Sequence, residues 1–241
     1  LREQLLSPEY ETLFEPFDPA LFNRNATLGE NLLFGTAVGN TFSPEKMAEN
    51  PYMRAMLDAT RLTPELIYMG RNIAETMLEI FSGLPVGHPF FDQFSFISAD
   101  DLPLYREILL RSNNLPAAEI LPVDQQKLMA LPFNYIEARH RLGLIDANIE
   151  KLLLAARRSF AAGLPREYRG AVEFYDPEKY NSSASLVDNI LFGRVIYGQA
   201  ESQKQIGALI NDVVIELSLR TEIFKVGVNF NVGGAGRHLS T

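Results

Sequence analysis

Apolar residues recur at helical spacing over most of the chain, and the strict alternation of a half-buried strand is scarce. Ile206, Leu209, Ile210, Val213, Val214 and Leu217 fall on one side of a 3.6-residue period and predict a helix with a single buried stripe. Pro51 opens another helix, carrying Met53, Met56 and Leu57, and a further run passes through Ile73, Met77, Leu78 and Phe81. Ser98 or Asp100 is placed to cap a helix through Leu104, Ile108 and Leu109. A longer run from Asp124 to Ala162 holds Leu128, Leu144, Ile145, Ile149, Leu152, Leu153 and Phe160, and Pro132 is expected to break it. Gly83-Leu84-Pro85 and Gly163-Leu164-Pro165 read as loops. Strand character is confined to residues 13–17 and 171–175. The expected fold class is mainly α, with at most a few short strands.

The chain also repeats itself. Residues 17–35 (FDPALFNRNATLGENLLFG) return at 175–193 as YDPEKYNSSASLVDNILFG, 158 positions later. Residues 62–70 (LTPELIYMG) return at 219–227 as LRTEIFKVG, at an offset of 157. A register held over that distance with one slip is what a duplicated unit accumulates. In each copy an aromatic residue precedes Asp-Pro, a turn signal. Thr27-x-x-Glu30 and Ser185-x-x-Asp188 then have the form of capping boxes, each opening a short apolar helix expected to end at Gly35 or Gly193. The organisation read from this is a lead-in over 1–16 and a first turn-helix-helix repeat over 17–70. A helical insertion over 71–174 and a second repeat over 175–241 follow.

Composition narrows the function classes. A formal charge of −8 argues against a general nucleic-acid binder, which needs a cationic face. No apolar run reaches the ~18 residues of a membrane span, so direct membrane insertion is not expected. The absence of cysteine excludes disulfides, thiolate nucleophiles and cysteine zinc sites, and fits a reducing compartment. The chain opens on Leu1 rather than Met and stops just after a glycine cluster, as expected of an internal piece of a longer protein.

Two stretches point to a family. Residues 21–35 and 185–193 resemble the segment of ABC transporter nucleotide-binding subunits that reads approximately L-F-x-x-(S/T)-I-x-E-N-I-x-(F/Y)-G and starts their helical subdomain. In that family the segment is followed, after forty to fifty residues, by V-G-x-x-G-x-x-L-S-G-G-Q. Here Val232-Gly233-Gly234-Ala235-Gly236-Arg237-His238-Leu239-Ser240 follows the second copy at about that distance. The resemblance covers both repeats; residues 71–174 have no counterpart in it. It implies a coupling role, in which the helical subdomain touches a transmembrane subunit and the signature serine binds ATP held by a second ATPase subunit. Gly236, Leu239 and Ser240 are the partial signature, Thr241 standing where its first glycine belongs. Phe22, Asn31 and Phe34, with Tyr180, Asn189 and Phe192, are the corresponding candidates for partner contact. The glutamine that precedes this segment in the family aligns with Phe17 and Tyr175, which cannot take up its metal-sensing role. ATP and magnesium are cofactors of the implied parent, and its place is cytoplasmic, on the inner face of a membrane through partners.

Nucleotide hydrolysis by the chain itself is not expected, and no catalytic or metal-binding residue is assigned. A phosphate loop of the Walker type needs Gly-Lys, and none of Lys46, Lys127, Lys151, Lys179, Lys204 or Lys225 follows a glycine. No apolar strand ends in Asp-Glu to hold magnesium. The glycine cluster at 233–236 reads as a flexible turn before it reads as a phosphate loop. His140 and the pair Arg157-Arg158 read as solvated helix faces, and Met47, Met53, Met56, Met69 and Met77 as core. Two rivals stand beside the coupling segment. One is a free-standing helical interaction module. The other is a hydrolase using scattered carboxylates, which no paired acid–base motif supports.

Overall fold

A computed structural model describes residues 10, 12–81, 83–85, 88, 96–198 and 200–229. It is mainly helical, with four three-residue strands among the described residues. The first copy runs β1 (Phe14–Pro16), α1 (Leu28–Leu33) and β2 (Gly35–Ala37). Then come α2 (Pro44–Met47), α3 (Pro51–Ala59) and α4 (Thr63–Phe81). The middle of the chain supplies α5 (Leu102–Ser112), α6 (Pro122–Phe133), α7 (Glu137–His140) and α8 (Ala147–Gly163). The second copy follows as β3 (Val172–Phe174), α9 (Leu186–Leu191), β4 (Gly193–Val195), α10 (Ala200–Glu216) and α11 (Arg220–Asn229).

Local chemistry sets the helix starts. The Thr27 hydroxyl accepts from Glu30 N–H at 3.1 Å while the Glu30 carboxylate accepts from Thr27 N–H at 2.9 Å, closing a reciprocal box at the head of α1. In the second copy Ser185 accepts from Asp188 N–H at 3.0 Å, and the shorter Asp188 carboxylate turns to Arg194 at 2.6 Å. Asn50, Ser98 and Asp146 cap the helical segments that follow them in the same way.

The helix ends differ from expectation. Phe34 and Phe192, not the glycines after them, adopt the left-handed conformation that stops α1 and α9, with φ of 46° and 47°. Gly35 and Gly193 instead open strands. A Cβ on Gly35 would stand 2.6 Å from the Glu173 carbonyl oxygen, and one on Gly193 would overlap that of Glu15, so the crossing backbones exclude any side chain.

Those strands pair between the copies. β1 is antiparallel to β4, with Phe14 opposite Val195, and β2 is antiparallel to β3, with Ala37 opposite Val172. Each copy's entering strand therefore pairs with the other copy's leaving strand, giving an internal pseudo-twofold arrangement. The equivalence extends to the later helices. Arg61 and Ser218, 157 positions apart, both turn left-handed, at φ 61° and 55°. Leu62 N–H and Leu219 N–H donate to Leu57 and Val214 carbonyls, both at 2.9 Å.

The core lies around the first copy. Leu28, Leu32, Met53, Leu57, Leu66 and Ile67 pack with Leu128, Phe133, Leu153 and Phe160 from α6 and α8. The five methionines read as core are all buried. α4 is continuous across residue 70, so the stretch from 71 begins inside a helix and folds back over the first repeat rather than standing apart. The run 124–162 is three helices. Pro132 lies within the last turn of α6, and the helix ends only after Phe133. Having no N–H, Pro132 leaves the Leu128 carbonyl without its helical donor, and that carbonyl rests against Gly70 of α4. A Cβ at Gly70 would overlap it, so α4 and α6 cross backbone to backbone.

Two surface readings are corrected. Arg157 is buried, 5% exposed. His140 is half-buried between Phe96 and Tyr135, its Nδ1 accepting from Ile136 N–H at 2.9 Å. The α10 stripe is incomplete as well. Ile206 and Val213 are buried, but Leu217 is 58% exposed.

Candidate functional site

Of the six residues expected to contact a partner, Asn31 and Asn189 latch a loop within each copy, Phe34 and Phe192 join the copies, Phe22 lies in the main core and Tyr180 is exposed. Asn31 accepts from Asn23 N–H at 2.9 Å and donates to Asn23 and Thr27 carbonyls at 2.8 and 3.0 Å. Asn189 does the same with Asn181 and Ser185, at 2.7, 2.8 and 3.0 Å. Each asparagine thus ties the loop after Asp-Pro to its helix, and Asn31 is buried. A primary amide suits this place because it donates and accepts at once, which neither Asp nor Leu does. Beside the latches, the Glu15 carboxylate accepts from Asn25 N–H, and that of Glu173 from Ser182 and Ser183 N–H. Burial raises Glu173, but those donors outweigh it and hold the carboxyl below its usual range.

Phe34 and Phe192 face inward. Phe17 and Tyr175 stack with ring centroids 3.9 Å apart, and each meets the other copy's helix-ending phenylalanine edge-on: Phe17 with Phe192 at 5.8 Å, Tyr175 with Phe34 at 5.5 Å. The stacked pair lies where the pseudo-twofold axis passes. The positions aligned with the family's glutamine are therefore centre-of-module aromatics. Arg194 lies 5.8 Å from the Phe17 ring and pairs with both Glu30 and Asp188, which joins the cap of one copy to the cap of the other. Burial lowers this guanidinium, yet the facing Glu30, Tyr175 and Asp188 raise it further, so it stays charged.

Arg157 from α8 marks where the symmetry breaks. Its guanidinium lies 4.8 Å from the Phe34 ring and donates to Asn31 O at 2.7 Å and Oδ1 at 3.0 Å. It also donates to the carbonyls of Asp18, Pro19 and Leu21, at 3.2, 3.0 and 2.9 Å. Burial depresses it to about 10, with Asp18 opposing, so it is cationic at neutral pH.

The two copies differ in cover. Phe22 is 8% exposed and its counterpart Tyr180 60%. Leu28 is fully buried while Leu186 is 37% exposed, and Ile67 at 2% faces Phe224 at 71%. The first copy is roofed by α6 and α8; the same positions of the second are open. Leu219 and Val228 are exposed as well, so the second copy presents apolar side chains on α9 and on and just before α11. Such a surface, on a repeat whose twin is covered, is the candidate site for binding another polypeptide.

Among the described residues no three His, Asp or Glu side chains converge as metal ligands. A groove of about 310 Å³ between α2, α5 and α6 includes Glu45, Glu49, Asp101, Tyr105 and Lys127. There burial and Asp101 push Tyr105 up to about 12. The Ser98 hydroxyl donates to Asp101 at 2.6 Å there, within the cap of the turn that leads into α5, and no histidine among the described residues lines the groove to complete an acid–base relay. Gly236, Leu239 and Ser240 lie outside the described residues. Comparison with known proteins returns no matching family, no similar curated protein and no similar solved structure.

Asn23/Asn181 and Asn31/Asn189 are both kept between the copies, the one signal from which the latches were findable. Arg157 carried no such signal. It sits outside the repeats, in an Arg-Arg pair that elsewhere would be solvated.

Proposed function

We propose that this chain is a helical coupling segment of an ABC-type transporter ATPase, which engages a transmembrane subunit and a second ATPase subunit without hydrolysing nucleotide itself. One observation carries the reading. The stretch of the second copy that resembles the family's helical subdomain folds as a capped, latched helix with Tyr180, Leu186 and Val187 exposed beside it. A subdomain that docks on a membrane partner needs a rigid element with apolar and aromatic groups held outward. No helix among the described residues is long and apolar enough to cross a membrane, so membrane association in this reading runs through partners. ATP and magnesium belong to the parent assembly, with Ser240 as the residue of this chain nearest the nucleotide.

A photoreactive side chain in place of Tyr180, introduced in the source cells, tests this. Crosslinks identified by mass spectrometry to a polytopic membrane protein or to a chain bearing Gly-Lys-Ser/Thr are expected. Crosslinks confined to soluble proteins without a nucleotide site would instead identify a free-standing interaction module.

A further inference from the structure

The internal duplication supplies a template for what covers the second copy. In the first, α4 carries Leu66, Ile67 and Gly70, with Leu62 just before it, into the core shared with α6, and the crossing point is Gly70 against the Leu128 carbonyl. The counterparts in the second copy are Leu219, Ile223, Phe224 and Gly227 at the constant offset of 157. Here Leu219 is 38% exposed, Phe224 71% and Val228 67%, and a Cβ on Gly227 would meet nothing within 4 Å. Glycine in a helix interior costs about 1 kcal/mol against alanine. At Gly70 a backbone crossing explains that cost; at Gly227 no contact among the described residues does. The neighbouring helix α10 is anchored to the described fold, since Ile206 is buried with Leu13, Phe14 and Leu191.

We propose that the α10–α11 face is a docking groove for one amphipathic helix of the α6 kind, supplied by a partner polypeptide and crossing α11 at Gly227. The occupant has an apolar side of the Leu128, Met129, Leu131, Phe133 type. It also has a bare carbonyl at the crossing, which a proline four residues further on provides. One end of the groove differs from its template. Gly29, whose Cβ would sit 3.1 Å from the Phe133 carbonyl, is replaced by Val187, so the partner helix stops short of α9 or rises away from it.

The test uses the whole chain and a labelled peptide of residues 119–136 carrying Asp124→Asn, because that carboxylate would leave its partner Arg111 behind. Fluorescence anisotropy should show saturable one-to-one binding with a dissociation constant on the order of 10 μM. Gly227→Val should weaken it at least ~tenfold by filling the crossing point, with circular dichroism and melting unchanged because that position is open. Leu128→Asp in the peptide should abolish binding. Absence of binding up to millimolar peptide would overturn the proposal. Binding insensitive to Gly227→Val would do so too, since the peptide would then be displacing α6 from α4. Self-association of the chain that is lost in Phe224→Asp while peptide binding persists would assign the face to a second copy instead.

Discussion

Replacing Arg157 by alanine removes a buried cation whose five hydrogen bonds end on Asn31 and on the carbonyls of Asp18, Pro19 and Leu21. Bonds to a charged donor are each worth ~1.5–3 kcal/mol before the cost of taking the charge out of water, which is several kcal/mol per ion. The net value of the arginine is therefore small compared with its parts. Its removal is another matter, because the orphaned carbonyls stay in place and Phe34 loses its cationic neighbour. A loss of ~3–5 kcal/mol is expected, a large fraction of the ~5–15 kcal/mol that holds a domain folded. In urea, with a slope of ~3 kcal/mol/M, the midpoint should fall by about 1–1.7 M with the slope unchanged. Arg158→Ala, at an exposed neighbouring position, should move it within error. Asn31→Ala combined with Arg157→Ala should cost less than the two alone, since they share bonds. Equal, small midpoint shifts for the Arg157 and Arg158 variants would refute the view that Arg157 clamps the first copy.

The two strand glycines should behave as a pair. Gly35→Ala and Gly193→Ala are each expected to lower stability by ~2 kcal/mol or more in thermal melts, whereas Gly207→Ala, in an open stretch of α10, should raise it by up to ~1 kcal/mol. A silent Gly193→Ala would mean that the strands do not approach as described. His140 should make the fold acid-sensitive. Burial first, then the charge of Arg139, lowers it to about 4, against 6.5 in an unfolded chain. Between those values the unfolded state binds more protons, so stability is full above pH 6.5 and declines as pH falls toward 4. Denaturant midpoints between pH 7 and 4 should show a decline that is absent in His140→Asn, ~2 kcal/mol once the full ~3 kcal/mol of the shift is discounted for the ring's partial exposure. Parallel profiles for the two proteins would exclude His140 as the source.

What the sequence disclosed was what repeats and what is local. Thr27, Ser185 and their partners three residues on are readable because a cap is settled within one turn of chain. The buried methionines are readable because helical period alone places them. β2 and β4 were not, since Gly-Thr-Ala and Gly-Arg-Val are too short to alternate and acquire strand geometry only from pairing across more than 130 residues. The role of Gly35 and Gly193 was misassigned for the same reason. A glycine after a capped helix reads as the stop, while its real constraint comes from a backbone distant in sequence. His140 and Arg157 looked solvated because their neighbours in sequence are charged, whereas Phe96 and the loop at 18–21 that bury them are far away. The open half of the site was invisible too, as Ile67 and Phe224 look alike until one is covered and the other is not.

The crossed strand pairing has a consequence for how the molecule comes into being. Neither repeat can complete its own ladder, so the first half waits, with two strand edges unpaired, until residues 172–195 leave the ribosome. A half-chain ending near residue 165 would hold β1 and β2 without the two strands they pair with here.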